Sequence, residues 1–193
     1  MRPNRRNLLS TFLAIVAACS AAASAQLVTL HLDPAQTVAN FTVTDPIHTV
    51  HGTFALKRGE IRFDPASDKA EGEIVFDATS GKSGNDSRDH KMHKDVIESA
   101  KYPEITFKPD RYEGKVAEQG TSTVQVHGMF GIHGAEHEMT IPVDVTLAPD
   151  KWNADAKFVV PYAKWGMPRP RVVFVVLGEE VDIEIKAAGT ASR

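Results

Sequence analysis

Apolar side chains recur at every second position over most of the chain. Across 139–147, Met139, Ile141, Val143, Val145 and Leu147 share one side, and Thr140, Pro142, Asp144 and Thr146 share the other. Val181, Ile183, Ile185 and Ala187 alternate in the same way with Asp182, Glu184 and Lys186, and Val124, Val126, Gly128 and Phe130 repeat the pattern. A period of two with a single apolar side predicts strands with one dry and one wet face. Weaker runs of this kind lie at 28–33, 37–44, 50–56, 60–64, 72–78, 105–112, 154–160 and 172–177. Turn signals fall between them at Asp64-Pro65, Pro109-Asp110, Glu113-Gly114, Pro149-Asp150 and Gly178, and short connections favour antiparallel neighbours.

Only 86–100 reads as helix. Ser87 is its expected cap, Met92, Val96 and Ile97 form its apolar side, and Tyr102-Pro103 returns the chain to strand. About ten strands, many turns and one helix predict an all-β sandwich or closed barrel, and a single-layer barrel of about eight strands accounts for the one-sided alternation. Its inward candidates are Phe41, Phe54, Phe63, Phe76, Phe107, Phe130, Phe158 and Phe174. Periodicity leaves two readings open: the rings fill the core, or they line a lumen that takes an apolar ligand.

Composition changes this picture at the N-terminus. Residues 1–25 have a basic start, an apolar stretch at 8–18 and a small-residue end at Ala23-Ser24-Ala25, the layout of a cleaved export signal. The stretch is short for a membrane span. The expected domains are therefore a signal at 1–25 and one barrel domain at 26–190, exported to the periplasm. Arg5-Arg6-Asn7-Leu8-Leu9 resembles a twin-arginine signal, with ordinary unfolded export as the alternative. Val16-Ala17-Ala18-Cys19 resembles a lipobox, so the alternative location is a lipoprotein anchored to the membrane surface through Cys19. Cys19 is the sole cysteine, so the domain after the signal has no disulfide and rests on its core. Removing Arg2, Arg5 and Arg6 would leave 19 of the 22 basic residues against 25 acidic ones, a net charge of −6. That balance argues against nucleic acid as a partner.

The chemistry-bearing motifs are few. His133-Gly134-Ala135-Glu136-His137 matches the H-x-x-E-H zinc-peptidase pattern. That chemistry needs a helix, whereas here the motif separates two alternating strands, which predicts a hairpin turn with two exposed histidines. Asp86, His90 and His93 would share one helical face. A closed structural metal site wants four ligands, and a polar outer helix face is the simpler expectation. No glycine-rich phosphate loop or G-x-S-x-G elbow is present, and no spacing predicts a catalytic triad. The expectation is a protein that is not an enzyme and has no metal or catalytic residue. A metal carrier or metalloenzyme using His90, His93, His133 and His137 is the alternative.

The order of the motifs resembles the YceI-like family of exported bacterial proteins. Leu32–Val43, "LDPAQTVANFTV", is similar to the family's opening strand, and Val50–Phe54, "VHGTF", to its V-x-G-x-F strand. "RDHKM", Arg88–Met92, with "AKYPEITF", Ala100–Phe107, resembles R-D-x-H-L followed by YP-x-x-x-F. "VHGMFGIHG", Val126–Gly134, is similar to its glycine-bracketed hairpin. The resemblance spans about 27–189. It implies an antiparallel lipocalin-like barrel with a helix near one end, an apolar pocket for a polyisoprenoid chain, and no family-wide enzymatic activity. Two departures stand out. The family's histidine in R-D-x-H-L falls on Lys91, and 159–174 is richer in Trp, Pro and Arg than the usual ending.

The expected function is thus an exported protein that holds a polyisoprenoid or isoprenoid-quinone tail for binding, transport or storage. A non-binding structural or stress-related barrel is the alternative. The expected lumen residues are Phe41, Phe54, Phe76, Phe107, Val126, Phe130, Phe158, Trp165 and Phe174, with Arg88, Asp89 and Met92 in a helical lid. Trp165, Met167 and Pro168 either shape a pocket mouth or cover the barrel rim. Arg169 and Arg171 are placed to meet an anionic head group such as a pyrophosphate, or are ordinary surface arginines.

Overall fold

The computed structural model describes residues 27–44, 48–169, 171–172, 175–176 and 178–192 of the 193-residue chain. The expected signal, Cys19 and Phe174 lie outside the described residues.

The alternating segments form strands β1 (Val28–Leu32), β2 (Val38–Thr44), β3 (Thr49–Asp64), β4 (Lys69–Asp77), β5 (Glu104–Glu113), β6 (Gly120–Ile132), β7 (Ala135–Leu147) and β8 (Lys151–Val160). Two-residue strands β9 (Arg171–Val172) and β10 (Val175–Val176) pair antiparallel with each other apart from the main sheet, and β11 (Val181–Ser192) follows. Every pairing in the main sheet is antiparallel, from β2 through β8 in order, and β11 closes the ring by pairing with both β8 and β2. β1 pairs with β11 at Thr29–Leu32 and with β3 at Val28–His31, so it occupies the same position in the ring as β2, further along. The result is a closed antiparallel β-barrel of eight strand positions, one of them shared by two strands. Closure satisfies the backbone groups that an open sheet would leave at its edges.

The two ends of the barrel differ. At the base lie the short β3–β4, β5–β6 and β7–β8 connections. At the rim lie the end of β2 and the start of β3, the helical segment between β4 and β5, the β6–β7 hairpin and residues 161–169. The β6–β7 turn is two residues long, with His133 at φ 53° and Gly134 at φ 77°. Two positive φ values match the type I′ turn that suits the twist of a hairpin, so the expected turn is present.

Several expectations are corrected. Segments 50–56 and 60–64 belong to one strand, β3, which bends at a bulge between Leu56 and Arg58. Pro109-Asp110 is a bulge inside β5 rather than a turn; proline has no N–H to give, so it sits where the ladder is interrupted. The helix is shorter than 86–100: α1 covers Asp86–Lys91 and runs into a π-helical turn at Met92–Val96. Its cap is Asn85, whose side chain accepts from the Arg88 backbone N–H at 3.0 Å, rather than Ser87. Among the described residues, no helix is long and apolar enough to cross a membrane.

Candidate functional site: a lumen closed at the base and polar at the mouth

The inward faces of the strands enclose a cavity of about 740 Å³ that runs the length of the barrel. Along β6 the wall extends from Val124 to Ile132, eight steps of about 3.3 Å each; with the tilt usual for barrel strands the lumen is about 20 Å deep. The size falls in the range of small-molecule and cofactor pockets, so the inward rings line a void rather than fill it.

The base is plugged. Tyr112 meets Phe63 edge-on at 5.8 Å and donates its hydroxyl to the Asp64 carbonyl at 3.2 Å. Trp152 donates from Nε1 to the carbonyls of Thr190 at 3.1 Å and His31 at 3.3 Å. Near the rim, Tyr162 donates to the Gly178 carbonyl at 2.6 Å. These three polar groups on the cavity wall are engaged by backbone, which leaves the lumen apolar. Burial pushes the Tyr112 and Tyr162 hydroxyls above the usual tyrosine range.

The expected lumen residues are placed as follows. Phe41, Phe54, Phe76, Phe107, Val126, Phe130 and Phe158 line the cavity, as does Phe63. Trp165 does not. It packs on Phe130 at 5.8 Å from the side of the rim and stacks on His137 at 3.9 Å, with ring planes 3° apart. Met167 and Tyr162, from the same connection, do face the cavity, while Pro168 is exposed. Arg169 donates to Glu179 at 2.8 Å and does not line the lumen, and Arg171 is described only in its backbone.

At the rim the cavity reaches a polar mouth between the start of β3 and α1. His48 and Thr49 line it on one side, and Ser83, Asn85, Ser87, Arg88 and Lys91 on the other. Met92, Val96 and Ile97 cap the apolar space beneath. Arg88 donates to Ser83 Oγ at 2.6 Å and to the Ser83 carbonyl at 2.7 Å. Asp89 does not reach the lumen; its carboxylate accepts from the Ser83 backbone N–H at 2.9 Å and from the Ser83 hydroxyl. The neighbouring Lys82 pairs with Thr53 of β3 through backbone bonds of 2.9 and 3.0 Å. Arg88 and Asp89 therefore fasten the helix start to the barrel wall. The sequence reading did not single out Ser83, Asn85 or Lys91 as mouth residues. The available signal was the spacing of Ser87, Arg88 and Lys91, three and four apart on one helical side.

The histidines are dispersed. His93, expected on the wet side of the helix, points inward: Nδ1 meets Ser99 Oγ at 3.0 Å and Nε2 meets the Gly81 carbonyl at 2.8 Å. His133 and His137, expected to be exposed, are half-buried. His133 pairs with Glu98 at 2.8 Å and packs on Tyr102, and His137 lies under Trp165. Burial lowers the His137 pKa below the ordinary value. Among the described residues, no three His, Cys, Asp or Glu side chains converge as a metal site.

On the outer wall, His127 is wedged between Asp110 at 2.8 Å and Glu138 at 2.7 Å. The Asp110 hydrogen bond, aided by Glu138, raises its pKa. Glu104 receives hydrogen bonds from Arg58 and Lys57 that hold its carboxyl at about 2.

The YceI-like domain family matches residues 30–188, and the chain belongs to that family. No curated protein matches the sequence. Among solved structures, the chain is similar to BcnA from Burkholderia cenocepacia, with a TM-score of 0.69 at 18% identity over 82% of this chain and 99% of that one. It is similar to a polyisoprenoid-binding domain from Saccharophagus degradans implicated in plant cell wall breakdown, with a TM-score of 0.63 at 16% identity over 84% and 98% of the two chains. A Campylobacter jejuni YceI protein gives a TM-score of 0.59 at 19% identity, covering 76% and 88%. At these identities the likeness is one of fold.

Proposed function

We propose that this protein is an exported, non-enzymatic lipid-binding barrel that holds the tail of a polyisoprenoid or isoprenoid quinone. The observation that carries the reading is the continuous apolar cavity of about 740 Å³, closed at the base and reaching a polar mouth. Transferring an apolar chain from water into such a space gains about 25 cal/mol per Å² buried, less the cost of ordering the chain. The wall offers that chain few polar groups to desolvate. Membership of the YceI-like family, and a structural neighbour described as polyisoprenoid-binding, support the same reading. A non-binding barrel with a filled core fits a cavity of this size poorly.

Organic extraction of the purified protein followed by mass spectrometry tests the proposal. The expected result is a co-purified single-chain isoprenoid. Added prenyl lipid is expected to change the emission of Trp152, which lines the lumen. No extractable lipid together with unchanged emission would overturn the reading. The pattern of 1–25 supports export, and fatty-acid labelling of wild type against Cys19→Ala separates a lipoprotein from a freely diffusing periplasmic protein.

A further inference from the structure

The charged groups on the cavity wall have one sign. Arg88 and Lys91, one helical turn apart, line the mouth, and among the described residues no carboxylate lines any part of the cavity. The acids on the same helix are directed elsewhere: Asp89 is engaged by Ser83, and Asp86 is exposed and does not reach the lining. Arg88 gives two of its nitrogens to Ser83, whose hydroxyl also meets the Asp89 carboxylate, so Arg88 is held in place with an acid one serine away and Lys91 carries the uncompensated charge at the opening. Lys91 is exposed and pairs with no described carboxylate. Behind both lies apolar wall, which strengthens the field at the opening relative to open water.

Resting on the lipid-binding reading, we infer that the polar end of the ligand is an anion, a phosphate or carboxylate on a single apolar chain, held at the mouth by Arg88 and Lys91. Ser83, Asn85 and Ser87 supply further polar groups at the same opening. A neutral ring or hydroxyl head would leave Lys91 without a counter-charge at the mouth. An anion gains charge-assisted hydrogen bonds, about twice as strong as neutral ones, and meets no acid on the lining to repel it. The preference falls with added salt, because the mouth is open to solvent.

The test uses three ligands with one tail: geranylgeranyl monophosphate, geranylgeranoic acid and geranylgeraniol, titrated against the full protein by tryptophan emission at low and high salt. The expected result is binding of the anions about tenfold tighter than the alcohol at low salt, with a smaller ratio at high salt. Phosphate binding like carboxylate supports a charge-reading mouth, and a preference for phosphate alone narrows the head group to phosphate. Arg88 also secures the helix start, so Lys91 supplies the deciding variants. Lys91→Gln is expected to reduce the ratio severalfold and Lys91→Glu to abolish it. If the alcohol binds as tightly as the anions, or if Lys91→Glu leaves the ratio intact, the inference is overturned while lipid binding stands. If none of the three binds, both fall.

Discussion

His137 lies flat against Trp165, ring centroids 3.9 Å apart, and so ties the start of β7 to the rim connection that carries Tyr162 and Met167 over the cavity. Aromatic pairs contribute about 0.5–1.5 kcal/mol beyond their buried area, so His137→Ala is expected to cost about 1 kcal/mol in chemical denaturation. The pair also reports protonation. Burial depresses the His137 pKa, so its contribution is complete above the unfolded value of about 6.5 and is lost as pH falls from there through the lower folded value. Tryptophan emission should titrate with a midpoint below 6.5, and that step should vanish in His137→Gln. A midpoint at or above 6.5 would contradict the burial argument.

His127 is expected to respond in the opposite sense. Its pKa is raised by Asp110 first and Glu138 after it. The stabilisation is complete below about 6.5 and disappears as pH rises through the higher folded value. Thermal melts of wild type against His127→Gln should differ by a few degrees at pH 6 and converge at pH 9. Asp110→Asn should reproduce most of the effect.

Stability and binding should separate along the barrel axis. Phe63 packs with Tyr112 in the base, and Phe63→Ala is expected to cost about 3–5 kcal/mol, the usual range for emptying a buried phenylalanine site. Ala156 of β8 faces the lumen, so Ala156→Trp adds volume where there is space to receive it. It should reduce lipid binding at least tenfold with a change in stability under about 1 kcal/mol, as read by extraction and by urea denaturation. Equal lipid recovery from Ala156→Trp and wild type would place the ligand elsewhere.

Gly52 leaves room for an aromatic ring. A Cβ there would lie 2.2 Å from Phe41 Cζ and 2.4 Å from the Lys82 carbonyl, closer than any contact can be. Gly52→Ala must displace either the Phe41 ring into the lumen or the 81–83 segment that anchors α1. A loss of about 2 kcal/mol is expected, accompanied by weaker lipid binding.

The strands were legible because a barrel wall has one dry side, and that imposes a period of two on β6, β7 and β11. The inward phenylalanines were legible for the same reason, Phe174 lying outside the described residues. The mouth was not. His48 and Thr49 are distant in sequence from Ser83 and Lys91 and meet them only because two different connections converge at one rim. The environments of His133 and His137 were misread likewise: Tyr102 and Trp165, which cover them, arrive from other segments. Helix boundaries failed locally, since Asn85 and Ser87 are both good caps and nothing in the pattern announces a π-helical turn.

The uneven distribution of connections, with both long ones at the rim and only short ones at the base, has an evolutionary consequence. Ring closure and the base plug hold the fold in place from below, so changes at exposed rim positions such as Asn85, Ser87, Lys91, Lys164 and Pro168 touch few of the groups on which folding depends. Descendants of such a chain are free to try new openings on an unchanged vessel. A library randomised at those exposed rim positions alone should therefore yield mostly folded proteins that differ in what they hold.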